Sequence, residues 1–227
     1  MSDPFDGSTT LTIDTQAKSK CRQNTLRVIL SAQGERRMSK IFVISGPSGS
    51  GKTTLVARLL KERALKRRLV KSVSLTTRPK RSGEREGRDY FFLTPEEFSR
   101  RLKAKKILEW TRYLGYDYAT LKDFVEAQLA KGKHLVLCLD LRGAERIQEL
   151  YPKNTVLIFV APPSLEALWE RIKKRCRKTK REEIKKRLRL ARREVLAAAR
   201  YDYCLVNADL RETLERLKQI IRKETAR

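Results

Sequence analysis

The chain has 227 residues, of which 40% are hydrophobic, and its 53 Lys plus Arg against 27 Asp plus Glu leave a net charge of +26. That apolar share supports a core and excludes wholesale disorder, while the length favours one domain with a small insert. The charge predicts attraction to phosphate-bearing molecules and incidental association with polyanions or nucleic acid, through phosphates rather than bases.

Cys21, Cys138, Cys176 and Cys204 contain no CxxC pair, and His134 is the one histidine. A structural zinc site and a Ser-His-Asp triad are therefore not expected. The cysteines read as packing residues in a reducing compartment, and His134 as a plain strand-edge residue. The longest apolar runs, LVLCL and VLIFV, fall far short of the ~20 residues that cross a bilayer. No cleavable signal peptide is visible, so a soluble, cytoplasmic protein without membrane contact is expected.

Residues 1–37 are polar and lack sustained apolar periodicity, apart from a candidate strand at 25–30. They read as a disordered or dispensable extension, with Met38 as a candidate start. Residues 1–37 hold six basic and four acidic side chains, so 38–227 keeps +24. KIFVIS reads as a buried strand and TTLVARLLKERA as one helix. A less regular stretch comes next: LVKSVSL, the charged TRPKRSGEREGRDY and FFLTP. Thr94, Pro95 and Glu97 predict a helix start with a capping box. A helix over about 121–131 leads through Gly132 to the strand HLVLCLD, and 155–159 is another apolar strand. LEALWERIKKR, 184–199 and LRETLERLKQIIRKE read as helices, with YCLV as a short strand before the last. The alternation predicts an α/β fold with a parallel central sheet covered on both faces. The core is expected over 38–73 and 126–227, with an inserted module at about 74–125 and a mobile basic lid at about 176–183.

GPSGSGKT, residues 46–53, matches G-x-x-x-x-G-K-T between a strand and a helix, the context in which this motif binds a nucleoside triphosphate. Gly46, Gly49 and Gly51, interleaved with Pro47, Ser48 and Ser50, let successive N–H groups converge on one anion. Lys52 can reach the β/γ phosphates and the Thr53 hydroxyl a magnesium ion, with Thr54 near an α-phosphate. In the segment after α-helical spacing ends, Arg78 and Arg81 can form bidentate phosphate contacts and Tyr90 can donate to the same phosphate. Glu109 lies in an apolar context shortly before Tyr118 and Thr120.

The ordered runs GPSGSGKTT, VSLTTRPKRSGEREGRDY, EW and GYDYAT, within about 38–225, closely resemble the guanylate kinase family. The resemblance implies a P-loop three-layer fold and Mg²⁺-dependent transfer of the ATP γ-phosphoryl group to GMP or dGMP. It implies guanine recognition by Ser74, Glu109 and Thr120, and a GMP phosphate held by Arg78, Arg81, Tyr90 and Tyr118. It sets Asp140 near the guanine and the metal side, Arg171 and Arg175 flanking the ATP lid, Arg187 on the next helix approaching the transferred phosphoryl group, and Asn207 near the ATP base, with all three arginines expected to be catalytic. The acceptor is already an anionic phosphate, so no general base is needed. Charge neutralisation by Lys52, Mg²⁺ and arginines, including Arg78, is the expected catalysis. Three rivals remain: a sugar-phosphate kinase, a non-catalytic peptide-binding domain of the same fold, and a basic nucleic-acid-binding NTPase. Monomer and homo-oligomer are both open.

Three positions depart from the family pattern. Ala119 stands in place of glycine, which costs roughly 1 kcal/mol if the backbone needs positive φ. Cys138 replaces a frequent acid. The lid is slightly longer and unusually basic, residues 171–193 holding 14 Lys or Arg in 23 positions.

Overall fold

Residues Ile41–Ser45 form β1, and all five are buried. The structure, a computed structural model, describes residues 38–175 and 181–226, except for the side chains of residues 174, 175, 181–186 and 188. The candidate strand at 25–30 and most of the expected lid lie outside the described residues.

A strand's side chains alternate between faces, so the continuous apolar run of β1 serves two cores. Phe42 and Ile44 pack on one side with Leu55, Val56 and Leu59 of α1 (Lys52–Leu59) and with Leu214, Leu217 and Ile221 of the C-terminal helix. Ile41 and Val43 pack on the other with Val125, Ala144 and Ile147. These belong to α4 (Lys122–Ala130) and α5 (Leu141–Leu150). Ile41, Ile44, Leu55 and Leu59 have no exposed surface, and burying such a side chain fully is worth about 1.5–3 kcal/mol.

The central sheet has the order β2-β7-β1-β8-β9. Its other strands are β2 (Leu69–Lys71), β7 (His134–Cys138), β8 (Thr155–Ala161) and β9 (Tyr203–Val206). All four pairings are parallel. β1 sits between β7 and β8, so the loop leaving its carboxyl end occupies the crevice where parallel α/β sheets place their ligands.

The segment expected as an insert builds a second sheet of order β4-β3-β6-β5. It comprises β3 (Leu75–Thr76), β4 (Phe91–Phe92), β5 (Ile107–Tyr113) and β6 (Tyr116–Leu121). Helix α3 (Pro95–Lys103) covers it, with Phe98 against Leu75 and Ala119. The capping box is present: the Glu97 N–H donates to Thr94 Oγ1 at 3.2 Å and the Thr94 N–H to Glu97 Oε2 at 2.9 Å. Ala119 lies in β6 opposite Leu75 and Trp110, and positive φ among described non-glycine residues is confined to Lys105 and Leu114. The replacement of glycine by Ala119 therefore carries no backbone strain.

Three local expectations are corrected. The single helix expected over 53–64 ends at Leu59, and a short α2 (Arg63–Lys66) comes after it. Glu62 between them is extended and takes the Lys218 ammonium at 2.8 Å, an ion pair that a continuous helix would have to redirect. His134 does stand at the edge of a strand, opening β7, but it is not a plain residue there: it is buried, β7 is interior to the sheet, and its Nδ1 accepts the Lys40 N–H at 3.0 Å. Cys204 is exposed on the outer strand β9 rather than packed, whereas Cys138 is half-buried. Cys21 and Cys176 lie outside the described residues. The remaining helices are α6 (Leu165–Arg175), α7 (Arg181–Leu196) and α8 (Leu210–Ala226), with a 3₁₀ turn at Ala197–Arg200. No described helix is long and apolar enough to cross a membrane.

Candidate active site

The loop between β1 and α1 turns where side chains are excluded. Gly46 has φ 132°, and a Cβ there would lie 2.3 Å from the Val160 carbonyl oxygen of β8. Gly51 has φ 97°, and a Cβ there would meet the Asn207 amide at the same 2.3 Å. No other residue type fits either place. Gly51 also caps α1 without a side-chain acceptor, and the first turn carries no acid, so the positive helix end faces the loop unopposed.

Neighbouring elements hold the loop from behind. Asn207 is buried; its Nδ2 donates to the Ser50 carbonyl at 2.7 Å and its N–H to the Ala161 carbonyl at 2.8 Å. Arg171 Nη2 donates in turn to the Asn207 carbonyl at 3.0 Å. The Asn207 side chain thus supports the loop backbone. The Lys52 ammonium donates to the carbonyls of Gly46 and Pro47, the second at 2.9 Å, and so lies within the curve of the loop. Thr53 and Thr54 stand exposed at the start of α1, whereas Pro47 is buried and Ser48 half-buried.

The second sheet presents a cationic and a carboxylate station. Arg78 is buried, and its Nη2 forks onto both Glu84 oxygens at 2.8 and 2.9 Å while Glu84 also accepts the Arg81 N–H. The Arg78 guanidinium lies 5.4 Å from the Tyr90 ring centre and 5.8 Å from that of Phe92. Tyr90 packs edge-on to Tyr118, and Tyr118 to Tyr113. Burial above all, with Tyr118 nearby, pushes the Tyr90 phenol up to about 12, which keeps it a hydrogen-bond donor. Ser74 precedes β3, where its carbonyl accepts the Phe91 N–H at 3.0 Å.

At the carboxylate station, Thr120 Oγ1 of β6 donates to Glu109 Oε1 of β5 at 2.6 Å. Glu109 is 5% exposed, and its Oε2 has no hydrogen-bond partner among the described residues. Burial raises its pKa to about 7 against the Thr120 hydrogen bond, with the negative charge of Asp140 adding to the rise. Asp140 caps α5: its Oδ1 accepts the Gly143 N–H and its Oδ2 the Thr111 hydroxyl, both at 2.9 Å. Arg187 and Glu194 of α7 are buried. Burial raises Glu194 to about 7 as well, partly offset by the Lys52 charge.

The loop, Asn207 and Arg171 thus form one assembly, and Glu109, Thr120 and Asp140 another. Arg78, Arg81, Tyr90 and Tyr118 form a third. The Arg175 side chain lies outside the described residues. Glu84, Thr111, Tyr113 and Glu194 belong to the same clusters but were not singled out from sequence. Spacing does mark Glu194, seven residues after Arg187 and so on the same helix face. Among the described residues no group of three His, Cys, Asp or Glu side chains could hold a metal ion.

The glycine loop at the carboxyl end of a central parallel strand, beside a second sheet with a buried carboxylate, defines a P-loop protein of the nucleoside monophosphate kinase type. The guanylate kinase family model matches residues 38–224, and the chain belongs to that family. It is 44% identical over 188 residues to a guanylate kinase of Thermotoga maritima, covering 83% of this chain and 88% of that protein. It is 40% identical over 193 residues to one from Caldanaerobacter subterraneus subsp. tengcongensis, covering 85% and 91%. The crystal structure of guanylate kinase from Anaplasma phagocytophilum superposes with a TM-score of 0.70 at 34% identity, over 84% of this chain and 88% of that one.

Proposed function

We propose that the protein transfers the γ-phosphoryl group of ATP to GMP or dGMP, giving ADP and the nucleoside diphosphate. The observation that carries this reading is the buried Glu109 carboxylate, with Thr120 on one oxygen and the other unpartnered, in a chain whose phosphate loop is fully formed. Guanine offers adjacent N–H donors at N1 and the 2-amino group. Adenine lacks that pair and would leave the carboxylate short of partners, at about 1–3 kcal/mol per missed bond.

In this reading residues 46–54 cradle the triphosphate and Asn207 keeps the loop in shape. The 74–125 segment is the GMP module, and 176–183 is the lid. Ser74 and Thr120 donate to O6, Glu109 accepts from the base, and Asp140 holds the carboxylate side of the pocket. Arg78, Arg81, Tyr90 and Tyr118 hold the acceptor phosphate. The GMP phosphate oxygen attacks in line without a base, and Lys52, Arg78, Arg171, Arg175 and Arg187 neutralise the charge that spreads over the transferred group.

The Thr53 hydroxyl, exposed at the first turn of α1, fits one coordination position of Mg²⁺. With Cys138 rather than a carboxylate at that position, Thr53 is the side chain that would hold the ion, which would supply charge neutralisation beside the phosphates. The same surface favours ATP and GMP as partners, with polyanion association as a by-product of charge.

The test is ADP formation from ATP and Mg²⁺ with GMP, dGMP, AMP, CMP, UMP or no acceptor. Turnover confined to GMP and dGMP is expected, and Lys52→Ala should lower kcat by about a hundredfold or more. Equal background rates with every acceptor would overturn the reading.

A further inference from the structure

Gly143 lies in the first turn of α5 with ordinary helical φ, so its lack of a side chain is not a matter of backbone conformation. The reason lies in space. A Cβ at 143 would sit 2.8 Å from Glu109 Oε2, against 3.3 Å from both Asp140 Oδ1 and the Leu139 Cβ. Oε2 is the same oxygen that is buried without a hydrogen-bond partner among the described residues. The Gly143 N–H and the Asp140 side chain are committed elsewhere, since the Gly143 N–H goes to Asp140 Oδ1 and Asp140 Oδ2 takes Thr111. The N-terminus of α5 is therefore a shelf on which one carboxylate oxygen rests, shaped by a missing methyl group and stabilised by the helix dipole.

Three polar atoms succeed one another here: the Thr120 hydroxyl, Glu109 Oε1 bonded to it, and Glu109 Oε2 over Gly143. The Watson–Crick edge of guanine presents O6, N1–H and the 2-amino group in that order. The hydroxyl matches O6, Oε1 matches N1–H, and Oε2 matches the 2-amino group. In the free protein Thr120 spends its proton on Oε1; a purine O6 can receive it, which frees Oε1 for N1–H. Oε2 is then the oxygen that counts the 2-amino group, and Gly143 fixes where that oxygen lies.

We propose that Gly143 is a specificity-determining residue, positioning Glu109 Oε2 so that the site requires a purine with a 2-amino group. This rests on the reading of Glu109 as the guanine acceptor. GMP and inosine monophosphate share O6 and N1–H and differ only in the 2-amino group, so comparing them isolates the Oε2 contact. A methyl group at 143 displaces the flexible end of Glu109 more readily than the backbone of α5. It thereby costs the 2-amino contact while leaving the O6 side and the phosphate loop in place.

The experiment measures kcat/KM for GMP and for inosine monophosphate, at saturating ATP and Mg²⁺, in the wild type and in Gly143→Ala. The expected result is a loss of about tenfold or more for GMP, carried mainly by KM, with inosine monophosphate changed far less and the KM for ATP unchanged. The preference for GMP then contracts by about the same factor. Equal losses for the two acceptors, or none for GMP, would overturn the role of Gly143 while leaving the kinase reading intact. A wild type that phosphorylates neither acceptor would overturn the reading itself and the proposal with it. If Gly143→Ala does not fold, the double variant with Glu109→Ala should, because the carboxylate that met the new methyl is gone; a double variant that also fails to fold would overturn the proposal.

Discussion

Glu109 must be ionised to accept two N–H donors, and burial holds its pKa at about 7 rather than in the usual carboxylate range. Below that pH a growing share of the protein carries a neutral carboxyl with one acceptor too few. The expected outcome is that kcat/KM for GMP falls as pH drops through about 7, and that Glu109→Gln lacks this break. The comparison separates Glu109 from the titrating substrate phosphates. The stability effect has the opposite sign. A carboxyl whose pKa is higher folded than unfolded binds its proton more tightly when folded, so its contribution worsens as pH rises from about 4.3 to 7 and is flat above. Ser74, Arg78, Arg81, Tyr90, Tyr118 and Thr120 were all legible as residues because the motifs that carry them are contiguous. That Oε2 would be orphaned over Gly143 was not, because the contact joins two segments more than 30 residues apart and depends on a methyl group that is absent.

Elements show where local pattern suffices and where tertiary contacts override it. The α3 start was readable from Thr94, Pro95 and Glu97, and the sheet strands from their apolar runs, since both signals are local. The division of β1 between two cores was not visible, because both of its faces are buried and the alternation is masked. The break after Leu59 accompanies the pairing of Glu62 with Lys218, a contact with a helix far along the chain that local pattern does not report. One turn carries strain that sequence patterning does not report. Between β5 and β6, Leu114 and Gly115 have φ of 52° and 84°, the geometry of a two-residue hairpin turn that favours Asn-Gly over Leu-Gly. Leu114→Asn should stabilise the protein by about 0.5–1 kcal/mol, read as a higher Tm, provided the half-buried leucine contributes little packing. An unchanged or lower Tm would mean that its packing outweighs the strain.

At the scale of the whole molecule the charge is not spread evenly in function. In the central sheet, four adjacent strands are preceded by cations: Arg67 and Arg68 before β2, Lys133 before β7, Lys40 before β1 and Lys153 before β8. These lie at the strand ends remote from the phosphate loop, and none forms an ion pair with an acid among the described residues. Most described ion pairs are exposed, the exceptions being the Arg78–Glu84 fork and the pairs that the buried Lys218 makes with Glu62 and Glu215. Self-repulsion of this kind is screened over about 10 Å at 0.1 M salt. Raising NaCl from about 0.02 to 0.3 M should therefore raise Tm by a few degrees, whereas a flat response would mean that the cations are too well solvated to oppose one another. Composition gave the sign of this effect, but the row of strand ends needed the sheet order.

The bracing of the phosphate loop also orders the events of synthesis. Its eight residues leave the ribosome early, yet their shape leans on Val160 in β8, Arg171 in α6 and Asn207 just after β9. A nascent chain that has reached residue 160 holds the whole motif with one support in place; only past 207 are all of them available. The first-made part of the site is thus among the last to be finished. A chain interrupted in α7, before it reaches Asn207, carries the nucleotide signature without the framework that gives it a grip.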